Sequence, residues 1–124
     1  MTIDMAQFHQ VFFEESFEGL EIMESKLLDM DHGVVDSEEI NAIFRAAHSI
    51  KGGSGTFGFN DVADYTHVVE ALLDEMRDGT RDVTQEAVTA LLESVDVIRS
   101  LLVAARDGAE VDTILVKAKY DDLQ

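Results

Sequence analysis

No proline interrupts the 124 residues of this chain, and apolar residues recur three and four apart through long stretches of it. At 3.6 residues per turn such positions share one helical face, whereas folds of strands and tight turns need more proline and glycine than the eight glycines present here. Phe8, Val11, Phe12, Phe17, Leu20, Met23, Leu27 and Met30 predict a first helix over about residues 4–30. Asp31-His32-Gly33 breaks the pattern, and Asp36 followed by Glu39 has the spacing of a capping box ahead of a second helix over about residues 37–55. Thr56-Phe57-Gly58-Phe59 reads as a turn. Asn60 is positioned to cap a third helix that buries Val62, Tyr65, Val69, Leu72, Leu73 and Met76 and stops near Gly79, where a left-handed residue suits glycine. Thr84 caps a fourth, with Val88, Leu91, Leu92, Val95, Ile98, Leu101 and Leu102 inward and an end near Asp107-Gly108. A short fifth helix over about residues 111–120 is the weakest of the set.

Connections of only about four to seven residues favour antiparallel neighbours. The expectation is an all-α, up-down-up-down four-helix bundle with a short additional C-terminal helix, in one domain over residues 1–124. Charge narrows the function. With 26 acidic against 9 basic side chains the net charge is −17, which is unsuited to coating nucleic acid or anionic lipid. The absence of cysteine removes disulfides, thiolate metal sites and cysteine nucleophiles. No stretch has the length and apolarity of a membrane span, and residues 1–13 carry no signal-peptide pattern, so a cytoplasmic location is expected.

The second helix contains residues that packing does not require. At about 100° per residue, Ile40, Ile43, Ala47 and Ile50 form the inner face, with Phe44 at its edge and His48 about a quarter-turn outside. Gly52, Gly53 and Gly55 each cost a helix roughly 1 kcal/mol relative to alanine, so something should offset them. Gly52 stands one turn beyond His48 and leaves approach to the imidazole open. Arg45 and Lys51 flank His48 and make a local positive spot on an acidic protein. In the third helix, His67 and Glu70 share a face, and antiparallel packing would bring Glu70 opposite His48. A carboxylate that accepts the Nδ1 proton leaves Nε2 with a free lone pair, as phosphoryl transfer on and off a ring nitrogen requires. Lys51 is placed to offset phosphate charge.

The run Ile43-Phe44-Arg45-Ala46-Ala47-His48-Ser49-Ile50-Lys51-Gly52-Gly53-Ser54-Gly55-Thr56-Phe57-Gly58-Phe59 resembles the signature of the histidine phosphotransfer (HPt) domain of bacterial chemotaxis sensor kinases of the CheA type. The likeness extends to Phe12-Phe13-Glu14-Glu15, to His67 and Glu70, and to Leu72-Leu73-Asp74-Glu75. It covers about the first eighty residues well and the remainder only as a helical pattern. The resemblance implies a phosphoryl relay in two-component chemotaxis signalling. His48 would be the phosphoacceptor, Glu70 its orienting partner, and Lys51 and His67 members of the polar network. The donor would be the kinase's own catalytic domain, usually of the partner subunit, which binds ATP. The acceptor would be an aspartate on a response regulator, whose acidic pocket supplies Mg²⁺. The domain itself would hold no cofactor or metal, act as a monomer and not be an enzyme alone, as part of a longer kinase associated with chemoreceptor clusters. Phe13 falls off the main stripe of the first helix and, with Arg45 and Gly52, is expected at the docking face.

Rival patterns are weaker. Gly53-Ser54-Gly55-Thr56-Phe57-Gly58 spells a dinucleotide fingerprint, but it ends a helix and has no preceding strand. A di-iron bundle needs Glu-x-x-His pairs, whereas His67 and Glu70 stand in the reverse order and Lys51 follows His48. The rival of a different class is a structural or protein-binding bundle in which His48 does no chemistry.

Overall fold

The computed structural model describes residues 5–31, 36–108 and 123. It contains four helices, α1 (Met5–Asp31), α2 (Ser37–Thr56), α3 (Asn60–Asp78) and α4 (Gln85–Asp107). Helix α1 lies against α2 and α4, and α3 against the same two, so α1 and α3 are diagonal. Each contact runs antiparallel. A Cβ on Gly53 would meet Phe12, and Gly19 faces Ala46 and Ile50; Glu24 meets Arg99, and Arg106 lies over Phe17. The up-down-up-down bundle follows. The expected fifth helix over residues 111–120 lies outside the described residues.

Local chemistry sets the ends. The Asp36 carboxylate accepts the Glu38 amide at 2.9 Å, and Thr84 Oγ1 accepts that of Ala87 at 3.1 Å, so orphan donors of α2 and α4 are satisfied. The second arm expected of the capping box is redirected, since the Glu39 carboxylate lies 3.8 Å from Lys26 Nζ on α1. Asn60 is the first residue of α3 rather than its cap. Phe59 holds the cap position and has no polar side-chain atom to cap with, and the turn that delivers it is closed by backbone bonds. In that turn Phe57 N–H donates to Gly53 O at 3.1 Å and Phe59 N–H to Ser54 O at 2.9 Å, with Gly58 at φ +78°.

One core runs through the bundle, with Leu20, Met23, Leu27, Ile43, Ile50, Val69, Leu73, Leu91, Ile98 and Leu102 all buried. Two expectations for α1 are corrected. Phe8 and Val11, assigned to the inner stripe, are 53% and 46% exposed, and Phe13, assigned to the surface, is buried. The reason is that α1 faces two helices. Phe12 turns to Gly53 of α2 while Phe13 packs on Phe59 with ring centroids 5.3 Å apart, so the buried arc is wider than one stripe and is displaced along the wheel.

At Gly53 the Phe12 ring of α1 packs directly against α2. A Cβ there would stand 2.6 Å from both Cδ1 and Cε1 of Phe12. That ring has little room to yield, because it is buried among Phe13, Phe57 and Phe59 at centroid distances of 5.2, 5.6 and 5.8 Å. A Cβ on Gly52 or Gly55 would meet nothing within 4 Å. Gly53→Ala is therefore expected to lose ~1–3 kcal/mol through overpacking, while Gly52→Ala is neutral or gains up to about 1 kcal/mol of helix propensity. Urea unfolding of both variants checks the contrast; equal effects would contradict it.

Candidate functional site

The antiparallel packing of α2 on α3 determines which side chains meet. His48 and Lys51 lie one turn apart on α2 and lean toward α3, where Glu70 is half-buried between them. His48 Nδ1 is 3.0 Å from Glu70 Oε2, and Lys51 Nζ donates to Glu70 Oε1 at 2.9 Å. One carboxylate thus joins the two α2 side chains, with one oxygen for each. Exposure is graded across the group, from 14% for the Glu70 side chain to 27% for Lys51 and 62% for His48. The anion is sheltered and the imidazole is open to solvent.

Burial raises the proton affinity of Glu70, but hydrogen bonds from Lys51 and His48, together with the charge of Lys51, outweigh it and hold the carboxyl below its ordinary value. An ionised carboxylate only accepts hydrogen bonds. The neutral imidazole therefore carries its proton on Nδ1, and the Nε2 lone pair is free. Nothing else on α2 has this combination of a fixed tautomer and an exposed ring.

The other expected residues separate into those the fold brings to this point and those it does not. Gly52 is exposed and open, one turn beyond His48, as access to the ring requires. His67 is exposed on α3, and among the described residues it makes no hydrogen bond or ion pair with His48, Lys51 or Glu70. Arg45 does not join Lys51. It faces the groove between α1 and α2, with Phe8, Val11, Glu15 and Ile22. The paired-cation spot thus resolves into one ammonium committed to Glu70 and one guanidinium on the opposite flank. Phe13 is withdrawn from the docking face by its burial, whereas Phe8, Val11 and Ile22 are exposed. Phe44, expected at the edge of the inner face beside His48 but given no role, has its ring nearly parallel to that of His48, 10° off with centroids 6.1 Å apart. Its position four residues before His48 was the available signal. Among the described residues no group of three or more His, Asp or Glu side chains could hold a metal ion.

The sequence matches the family model of the Hpt domain over residues 7–102. The chain belongs to the Hpt domain family. Among curated proteins, this Hpt domain is similar to the chemotaxis protein CheA of Salmonella typhimurium, at 45% identity over 90% of the chain and 17% of the relative. It is likewise similar to CheA of Rhizobium meliloti, at 44% identity over 89% of the chain and 14% of the relative. The chain therefore spans about a sixth of the length of these relatives. Among solved structures, the phosphorylated P1 domain of CheA3 in complex with CheY6 from R. sphaeroides superimposes with a TM-score of 0.86 at 28% identity, covering 95% of this chain and 93% of that one. The solution structure of the histidine phosphotransfer domain of CheA gives a TM-score of 0.81 at 29% identity, covering 97% and 91%.

The depressed Glu70 value links the site to stability. In the unfolded chain the carboxyl has its ordinary value of 4.5, and in the folded chain it lies lower, so its contribution is full above the unfolded value and is lost as pH falls through the folded one. The stability advantage of wild type over Glu70→Gln should accordingly be present at neutral pH and vanish on acidification below pH 4.5, measured by urea unfolding across a pH series. A difference that did not depend on pH would contradict this account of the pair.

Proposed function

We propose that this Hpt domain is a phosphoryl relay in which His48 Nε2 receives phosphate from ATP and hands it to an aspartate of a response regulator. The observation that carries the proposal is the Glu70 contact with Nδ1, which leaves Nε2 as the outward nucleophile on an exposed ring. In the first half-reaction the Nε2 lone pair attacks the terminal phosphorus, an N–P bond forms and the bond to the ADP oxygen breaks. The imidazole becomes cationic, and the ionised Glu70 beside it stabilises that charge. In the second half-reaction a receiver carboxylate attacks the phosphorus, and the N–P electron pair returns to Nε2. The Nδ1 proton stays in place throughout, so the chain needs no general base. Lys51, positioned through Glu70, offsets the charge of the arriving phosphate. His67 is a weaker candidate for the same network.

Donor and acceptor lie outside this chain in this reading. A CheA-type kinase catalytic domain binds ATP, and the receiver supplies Mg²⁺ and the accepting carboxylate. The domain is then one module, over residues 1–124, of a longer histidine kinase working in the cytoplasm at chemoreceptor clusters. Among the described residues no helix is long and apolar enough to cross a membrane. For docking, the reading takes the groove between α1 and α2, where exposed Phe8, Val11 and Ile22 lie beside Arg45 and Ser49. Support comes from the similar P1 domain, which is phosphorylated and in complex with CheY6.

His48→Gln should abolish acid-labile labelling by a CheA-type kinase module and ATP while the far-ultraviolet circular dichroism stays that of wild type; persistent label on the variant would overturn the proposal. Phe8→Asp should leave labelling intact but slow transfer to a receiver by about tenfold, the order expected for a desolvated apolar contact in an interface. Transfer at the wild-type rate would move the docking face elsewhere.

A further inference from the structure

His48 is held at one atom by Glu70, and its ring is otherwise exposed. Glu70 restrains Nδ1 alone, and a ring this exposed can leave that contact by a change of χ1, so Nε2 is not held outward by Glu70 alone. On the adjacent turn of α2 the Phe44 ring lies nearly parallel to the imidazole. That ring is itself clamped from α3, where the Arg77 guanidinium carbon stands 3.8 Å from its centroid. The same guanidinium donates to Asp74 Oδ1 at 2.7 Å, which holds it over the ring from its own helix. The arrangement follows from the register. Arg77 is two turns beyond Glu70 on α3, and Phe44 is one turn before His48 on α2, so the antiparallel pair matches Glu70 with His48 and Arg77 with Phe44.

A cation within about 6 Å of an aromatic centroid is attracted to the ring face. Here the attraction limits the rotamers of a half-buried phenylalanine, whose face in turn limits those of the histidine above it. We propose that Arg77 is a positioning residue for His48, acting through Phe44 to hold the imidazole in the rotamer that points Nε2 outward. The proposal rests on His48 being the phosphoacceptor. It adds that in-line attack on phosphorus depends on an oriented ring as well as on the right tautomer.

Three variants separate the causes. Arg77→Met removes the cation and keeps a long side chain, Arg77→Lys keeps a cation, and Asp74→Asn removes the ion pair alone. Two measurements are needed on each. One is the maximal rate and apparent KM of labelling by a CheA-type kinase module with ATP. The other is the His48 χ1 population in the protein without partners, from three-bond couplings to its β protons. Arg77→Met should lower the maximal rate about three- to tenfold at unchanged KM, and its His48 couplings should average where those of wild type report one rotamer. Arg77→Lys should recover most of the rate, and Asp74→Asn, whose Oδ1 can still accept from the guanidinium, should behave as wild type. A wild-type rate with a single His48 rotamer in Arg77→Met would overturn the proposal. So would a slower rate with unmoved couplings, which would make Arg77 a partner contact. If wild type takes no label on His48, the phosphoacceptor reading fails, while the couplings still decide whether Arg77 orders the ring.

Discussion

Both oxygens of the Glu70 carboxylate are engaged by α2, one by the His48 ring and one by the Lys51 ammonium, and the chemistry assigned to this domain depends on that bridge. In the proposed relay it fixes the imidazole tautomer and supplies the negative charge that a phosphorylated ring needs beside it, and it ties α2 to α3 at the level of the site. Lys51 matters here first because its hydrogen bond and its charge lower the proton affinity of Glu70 against the effect of burial. Without Lys51 the carboxyl would hold its proton more tightly, and a protonated carboxyl could donate to Nδ1, which would place the lone pair on the wrong nitrogen.

The bridge requires α2 to be set precisely between two neighbours, and the glycine run serves that purpose in two ways. Gly53 admits the Phe12 ring and brings α1 against the inner side of α2. Gly52 keeps the outer side clear one turn beyond His48. The aromatic group of Phe12, Phe13, Phe57 and Phe59 then packs around the α2–α3 turn, from which the register that matches Glu70 with His48 runs. Adjacent glycines thus differ in their surroundings, Gly53 making room for packing and Gly52, in the proposed relay, leaving room for a partner.

Much of this was legible in the sequence, for identifiable reasons. Spacing by three and four gave the four helices, and Asp36, Thr84, Gly79 and Gly108 marked their ends because cap chemistry is local. His48 stood out because the glycines and cations around it fall outside the apolar pattern of the helix, and Glu70 followed from antiparallel neighbours. What the sequence did not yield depended on two helices at once. Phe13 was misplaced because a wheel drawn for one stripe ignores that α1 packs on both α2 and α4. Arg45 was paired with Lys51 by sequence distance, although three residues either side of His48 lead to opposite flanks. The separate task of Gly53 and the contact of Arg77 with Phe44 are visible only when a second helix is in place.

The central claim is that Nε2 of His48, with the proton kept on Nδ1 by Glu70, carries the phosphoryl group. The most direct measurement is nitrogen–phosphorus correlated NMR on ¹⁵N-labelled protein after phosphorylation by a CheA-type kinase module. The account predicts one phosphorus coupled to Nε2 of His48 and a protonated Nδ1 on the same ring. Phosphorus on Nδ1, on His67 or on no histidine would contradict it.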